Sequence, residues 1–271
     1  FGIQSKPIYK VLEYSTNPYM PGITGNEEGA LKFLKDIGIK SSEGNRLRKF
    51  SDLSADEIKI LIAAIAMKKL QTTDWNENLF GPVYLLKDEN DDSPTKELRE
   101  FSTLLNSCGR LGKPSLGLGV CLGDRNMKER AINILHDYRN EIINAIEWFY
   151  KNRGKISVLE KKGYVIVNAE DSVRDTIIGT IMSLISRSGI YDKGTILIGM
   201  AHTLGNETKI SVRVSGETDQ DTRVILKDVV SKTGGYSGGH KLAAGAIIGQ
   251  DKEAEFIKLI QETLDNLMIK A

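Results

Sequence analysis

Two periodicities organise the chain. A three-to-four spacing of apolar residues marks amphipathic helices. Ile58, Leu61, Ile62 and Ile65 line one such face, and Ala131, Ile134, Tyr138, Ile142, Ala145, Ile146 and Phe149 another. Val173, Ile177, Ile178, Ile181, Leu184 and Ile185 form a third stripe, and Ile257, Ile260, Leu264 and Leu267 a last one. Side chains able to satisfy the free end groups of a helix mark the boundaries. Asn26 is placed to cap a helix over Glu27–Ile37, with two glutamates in its first turn and Gly38 as its stop. Ser54-Ala55-Asp56-Glu57 is a capping box ahead of Ile58. Ser172 is expected to cap the helix that Gly189 ends. Alternation and runs of β-branched residues predict strands over Tyr164–Ala169, Thr195–Met200, Thr208–Ser215 and Ala246–Gly249.

These elements group into three stretches. Residues 1–103 open with the proline-punctuated segment Asn17-Pro18-Tyr19-Met20-Pro21-Gly22 and later reach an acidic, solvated loop over Asp88–Asp92. They are expected to form a small, mostly helical subdomain. Residues 104–153 hold a glycine-punctuated run and then the long amphipathic helix, which reads as a connector. Residues 154–271 alternate strands and helices, which predicts an α/β domain with helices packed on a mixed β-sheet. No internal repeat is visible.

Composition narrows the function classes. With 271 residues, 40% of them hydrophobic and 27% charged, the chain has the apolar content of a folded core. A formal net charge of +1 excludes a disordered polyelectrolyte and bulk coating of nucleic acid, while a local basic groove stays compatible with it. One local excess stands out: Lys32, Lys35, Lys40, Arg46, Arg48 and Lys49 are interrupted only by Asp36 and Glu43. A docking surface and a solvated helical face both fit it. No apolar run approaches the roughly 20 residues that span a bilayer, so no membrane partner is expected. No signal-peptide pattern opens the chain. Cys108 and Cys121 are too far apart for a metal motif and are expected as buried free thiols of a cytoplasmic protein. Phe1 in place of an initiator Met reads as a piece of a longer polypeptide.

Histidine is scarce: His136, His202 and His240 are the three. No His-x-x-x-His, paired Cys-x-x-Cys or aspartate cluster accompanies them, so no self-contained metal site is expected. His136-Asp137 falls on the connector helix and reads as solvated surface; His202 follows a strand end and reads as its cap. His240 differs. It ends Gly234-Gly235-Tyr236-Ser237-Gly238-Gly239-His240 and precedes Lys241-Leu242-Ala243-Ala244-Gly245. Such glycines let backbone N–H groups approach an anion, the small residues permit a helix to pack tightly behind, and His240 and Lys241 add donors. A glycine-rich turn with a stray histidine has the same spacing. Over Lys209–Ser215, strict alternation sets Ile210, Val212 and Val214 on one face and Lys209, Ser211, Arg213 and Ser215 on the other. A strand with one wet face gives that pattern. So does a Ser/Arg pair presented to phosphate, which a planar guanidinium suits.

Together these residues carry a resemblance. Ser211-Val212-Arg213, followed by Gly238-Gly239-His240-Lys241-Leu242-Ala243-Ala244-Gly245-Ala246, resembles the DHH-associated domain of the DHH phosphoesterase superfamily. Leu105-Asn106-Ser107-Cys108-Gly109-Arg110-Leu111-Gly112-Lys113-Pro114 is similar to the Asn-x-x-Gly-Arg-x-Gly segment between the two main domains of RecJ-type exonucleases. The opening from Pro7 to Glu27 is similar to archaeal RecJ-like nucleases. The matches follow the expected order and cover almost the whole chain.

The resemblance implies the C-terminal part of a single-strand 5′→3′ exonuclease, acting on DNA or RNA. Its Mn2+ (or Mg2+) ions would be bound by aspartates and histidines of an N-terminal domain that includes an Asp-His-His motif. This chain contains no Asp-His-His. It is therefore expected to start beyond the metal motifs, to hold no metal itself and to be inactive alone. Residues 1–103 would be the insertion shared with a eukaryotic replicative-helicase accessory factor, a region linked to docking on the GINS complex of the replisome. Residues 104–153 would be the RecJ-like segment and connector, and 154–271 the substrate-binding DHH-associated domain. Asn106, Arg110, Ser211 and Arg213 would hold strand phosphates, the Gly238-Gly239 backbone would close on the phosphate, and His240 would be the catalytic group near the metals. Two alternatives follow from the same family. One is a non-enzymatic replisome adaptor that binds GINS. The other is a tRNA-binding role, since alanyl-tRNA synthetases share the domain; the segment around Arg110 argues against it.

Overall fold

The computed structural model describes residues 2–15, 20, 22–70, 81–91, 93–216 and 218–270. Asn17-Pro18-Tyr19, Pro21 and Asp92 lie outside them. By its internal contacts the chain divides into two units, Phe1–His136 and Asp137–Ala271.

In the first unit, α1 (Ile8–Glu13) and α2 (Glu27–Asp36) precede a short hairpin of β1 (Ser42–Glu43) and β2 (Arg46–Leu47). The expected caps form. Asn26 accepts the Gly29 N–H at 3.0 Å, and Gly38, at φ +78°, follows α2. Helix α3 (Ala55–Leu70) starts at the capping box, where Ser54 N–H donates to Glu57 at 2.8 Å and Glu57 N–H to Ser54 Oγ at 3.2 Å. Ile8, Leu12, Ala30, Phe33, Leu34 and Leu61 bury together as the core of these helices.

Helices α4 (Leu98–Arg110) and α5 (Pro114–Cys121) are separated by a turn through Gly112 at φ +69°. Gly119 lies so close to Met127 that a Cβ there would stand 1.9 Å from its sulfur. Gly119 therefore serves helix packing and Gly112 the turn. Cys108 is buried, as expected, but Cys121 is exposed at the end of α5. The acidic loop is not simply solvated either. Glu89 accepts hydrogen bonds from Ser93 at 2.8 Å, Thr95 at 2.6 Å and Lys128, and Thr95 is fully buried. The dividing point between the units falls inside α6 (Arg125–Asn152).

The second unit is a six-stranded mixed sheet in the order β3-β4-β5-β6-β8-β7. Its strands are β3 (Val158–Lys161), β4 (Tyr164–Asn168), β5 (Ile196–His202), β6 (Glu207–Val214), β7 (Tyr236–His240) and β8 (Ala243–Gly249). Only β4 and β5 pair in parallel, with α7 (Asp175–Arg187) between them in the chain. Arg174, not Ser172, occupies the N-cap of α7. The Ser172 N–H is instead spent in a turn on the Ala169 carbonyl, beside Glu170 at φ +47°.

The even-numbered residues of β6 and β8 point to one side. There Ile210, Val212, Val214, Ala244, Ala246 and Ile248 bury against α8 (Thr222–Thr233) and α9 (Glu253–Lys270) through Leu226, Val229, Phe256, Ile260 and Leu264. The small alanines bring α8 close, so the helix expected behind Ala243-Ala244-Gly245 is present. On the other side α7 packs on β5 and β6. Gly199 leaves room for Met182 and Ile178, whose carbons would lie 2.5 and 2.9 Å from a Cβ there.

Candidate functional site

The glycine-rich segment is an edge strand and not a loop. Tyr236–His240 pairs with β8, and a two-residue turn, Lys241-Leu242, joins them. Its sequence lacks the branched and aromatic run that identifies a strand, which is why the periodicity misses it. Two glycines are required by the backbone. At Gly239, φ is +139° and a Cβ would come 2.5 Å from the Ala243 carbonyl oxygen. At Gly235, φ is +122° and a Cβ would come 2.2 Å from that of Ile247. Gly238 is different: a Cβ there meets nothing within 4 Å. Helix α8 fixes the far end of the hairpin. Asp221 caps it through the Arg223 N–H at 3.0 Å, and Thr222 donates to the Lys241 carbonyl from its N–H at 2.9 Å and its hydroxyl at 2.8 Å.

Pairing across β6, β8 and β7 sets three rows on the α7 side of the sheet. Arg213, Ala243 and His240 share one row; Ser211, Gly245 and Gly238 the next; Lys209, Ile247 and Tyr236 the third. Directly opposed residues of antiparallel strands project to one face, so the side chains of Arg213 and His240 stand on the same surface two strands apart, roughly 10 Å. Together these residues line a groove of about 540 Å³. Every residue of β7 is exposed.

Helix α7 walls the groove along β6. Gly179 leaves space over Ser211 and Arg213, whose Oγ and terminal nitrogen would lie 3.1 and 3.5 Å from a Cβ. Arg213 Nε donates to Ser183 Oγ at 2.8 Å and one terminal N–H to the Val212 carbonyl at 2.7 Å. The alternation over Lys209–Ser215 is as expected, but its polar face is not simply wet: Ser211 and Ser215 are buried and Arg213 half-buried. Gly179 and Ser183 carry no sequence signal beyond a small-residue notch among the isoleucines of α7.

The remaining candidates lie elsewhere. Asn106 and Arg110 belong to the first unit, one turn apart on α4, with Asn106 exposed and Arg110 half-buried. His136 is exposed on α6. His202 ends β5, with Nδ1 3.2 Å from Asp171 and Nε2 3.0 Å from Glu253, and Glu253 also accepts from Thr208. This is more than a strand cap; it ties the end of β5 to the start of α9. Among the described residues no group of three or more His, Cys, Asp or Glu is arranged to hold a metal ion, and no helix is long and apolar enough to cross a membrane.

Comparison with known proteins matches residues 1–79 to the DHH-CID domain and residues 160–266 to the DHHA1 domain. An uncharacterized protein of Methanocaldococcus jannaschii is 31% identical over 268 residues, which are 97% of this chain and 54% of that protein. The chain thus spans about half the length of the curated relative it matches. CDC45 from Entamoeba histolytica shares the fold with a TM-score of 0.53 at 10% identity, over 97% of this chain and 56% of that one. RecJ from Thermus thermophilus, solved in complex with Mn2+, matches with a TM-score of 0.46 at 16% identity, over 60% of this chain and 23% of that one.

Proposed function

We propose, for a chain that belongs to the DHH superfamily as a RecJ-like member with DHH-CID and DHHA1 domains, that it is the strand-holding part of a 5′→3′ exonuclease of single-stranded DNA or RNA. The observation that carries this reading is the shared row of Arg213 and His240 on an open face whose middle row is Ser211, Gly245 and Gly238. A guanidinium held by α7 offers a fixed charge to a phosphate, and Gly238 and Gly245 of the middle row admit the strand close to the backbone. Such contacts read no base sequence, which suits a non-specific nuclease. His240, at the rim, is the catalytic candidate nearest the scissile phosphate. Asn106 and Arg110, on α4 of the first unit, would contact strand phosphates in their own right.

Phosphodiester hydrolysis in this family would draw on Mn2+ or Mg2+. The described residues do not form a group that fits such an ion, so no step through a metal is assigned to this chain. The expectation is that the chain alone, with Mn2+ added, leaves single-stranded DNA intact. In the whole protein, His240→Ala should lower the cleavage rate more than strand affinity, because a group acting on the transition state contributes little to ground-state binding. Arg213→Ala should weaken binding by at least about tenfold, as expected for a charge-assisted contact of about 1.5–3 kcal/mol. Strand affinity indifferent to both substitutions would overturn the reading.

A second part of the proposal concerns docking on a GINS-type replisome complex through the first unit. Of the basic cluster, Arg48 is committed to Glu57 at 2.8 Å and Arg46 to Asp52 at 3.3 Å. Lys32, Lys35 and Lys40 instead line a groove of about 780 Å³ beside a single carboxylate, Asp36. That charge favours an acidic partner surface. Combined Lys32→Glu, Lys35→Glu and Lys40→Glu substitutions should abolish partner binding in pull-down while leaving strand binding intact; retained partner affinity would refute the docking.

A further inference from the structure

The third row of the groove lies beyond Arg213 and His240, the two groups assigned to phosphate. Tyr236 is 83% exposed at its outer end, Ile247 beside it is 38% exposed, and Lys209 closes the row on β6. No side chain of the middle row covers them, because Gly238 and Gly245 stand between this row and that of Arg213 and His240. The Tyr236 hydroxyl has no hydrogen-bond partner among the described residues. The root of the ring is fixed all the same: Gly235, held at φ +122° against the Ile247 carbonyl, sets Tyr236 directly opposite Ile247. A large aromatic ring left uncovered on a strand paired into the sheet, with an aliphatic neighbour and a lysine in line, is the make-up of a stacking platform with a backbone-tracking cation beside it.

We propose that Tyr236 stacks a nucleobase of the bound strand, so that the groove is divided by row: phosphate at Arg213 and His240, close backbone approach at Gly238, and a base on Tyr236 and Ile247. This deepens the strand-holding reading and rests on it. The rows of Arg213 and Tyr236 lie four residues apart along the strands, roughly 13 Å, so the two contacts fall on different parts of the strand. Stacking accepts any base, since every base presents a π-face, and it requires that a base be there.

The test compares two labelled probes with identical phosphates, an oligothymidylate and an abasic strand of the same length, by fluorescence anisotropy with the 271-residue chain. The chain should bind the thymidylate at least about fivefold more tightly than the abasic strand, the lower end of what one stacked base contributes. Tyr236→Ala should erase that difference by bringing thymidylate binding to the abasic level. Tyr236→Phe and Tyr236→Trp should retain it, and Arg213→Ala should weaken both probes. No preference for thymidylate in the unsubstituted chain, or a preference that survives Tyr236→Ala, overturns the stacking role and leaves the phosphate reading standing. Binding of neither probe overturns both.

Discussion

Ser183 Oγ accepts the Nε–H of Arg213 at 2.8 Å while giving its own proton to the Gly179 carbonyl at 2.8 Å. A hydroxyl has one proton, so donating it backwards along α7 orients the oxygen lone pairs toward the guanidinium. Arg213 is thereby held by a helix rather than by solvent.

Ser183→Ala should therefore loosen Arg213 without removing its charge. Binding of a single-stranded oligonucleotide is expected to weaken severalfold, less than for Arg213→Ala. Only Arg213→Ala should flatten the salt dependence, by about 0.7 in the slope of log affinity against log salt, because one fewer counterion is released. The check is a salt titration of all three proteins; equal slopes for the unsubstituted chain and Arg213→Ala would remove Arg213 from the phosphate site.

The two glycines before His240 should respond in opposite ways. At Gly239 an added methyl meets the backbone of Ala243 and Ala244 at 2.5 and 2.6 Å, with φ already at +139°. Gly239→Ala should displace β7 and lower the melting temperature. At Gly238 the added methyl meets open space, so Gly238→Ala should melt as the parent does yet bind the strand more weakly, since the methyl occupies the groove floor. Unchanged affinity for Gly238→Ala would show that no ligand approaches there.

Much of this was legible in the amino-acid order, and the gaps have physical causes. The stripe from Val173 to Ile185 and the alternation through Arg213 announce α7 and β6, because burial on one face repeats with the period of the element. Strand β7 was not legible: Tyr236-Ser237-Gly238-Gly239-His240 buries nothing, and its strand conformation comes from pairing with β8. For the same reason Ser211, Arg213, Gly238 and His240 could be named one by one as candidates, whereas the rows that bring them together could not. Register is a property of long-range pairing. The Ser183 support for Arg213 likewise depends on how α7 lies across the sheet.

Acid should weaken the first unit between about pH 4.5 and pH 2. Hydrogen bonds from Arg48 and the Ser54 N–H hold the Glu57 carboxyl down to about 2 from an ordinary value of 4.5. At Glu89 burial pushes upward, yet hydrogen bonds from Lys128, Thr95 and Ser93 outweigh it and bring the group to about 2. Both folded values lie below the unfolded one. Their stabilisation is therefore fully present above about 4.5 and is lost as pH falls toward 2. Thermal melts across this range should show the decline, and Glu57→Gln with Glu89→Gln should lower stability at neutral pH and shrink the acid dependence. A decline of the same size in the double variant would assign it to other carboxylates.

Thr222 is where the fold and the groove meet. Its hydroxyl and N–H both reach the Lys241 carbonyl, and the hydroxyl lies 3.3 Å from that of His240. The turn that positions His240 is thus tied to the first residue of α8, which is itself buried. Thr222→Val keeps the branched shape and the N–H and removes only the hydroxyl, a loss of about 1 kcal/mol. Because one backbone hydrogen bond to Lys241 survives, global melting should shift little. The hairpin should open more often, however, since an edge strand with every residue exposed has no burial to hold it. Amide hydrogen exchange over Tyr236–Gly245 should accelerate severalfold, while exchange in β4 and β5 stays as before. Strand affinity should fall in proportion to the closed fraction of the hairpin. Acceleration spread evenly over the whole sheet would mean that Thr222 supports the unit as a whole and does not act as a local clamp on the site.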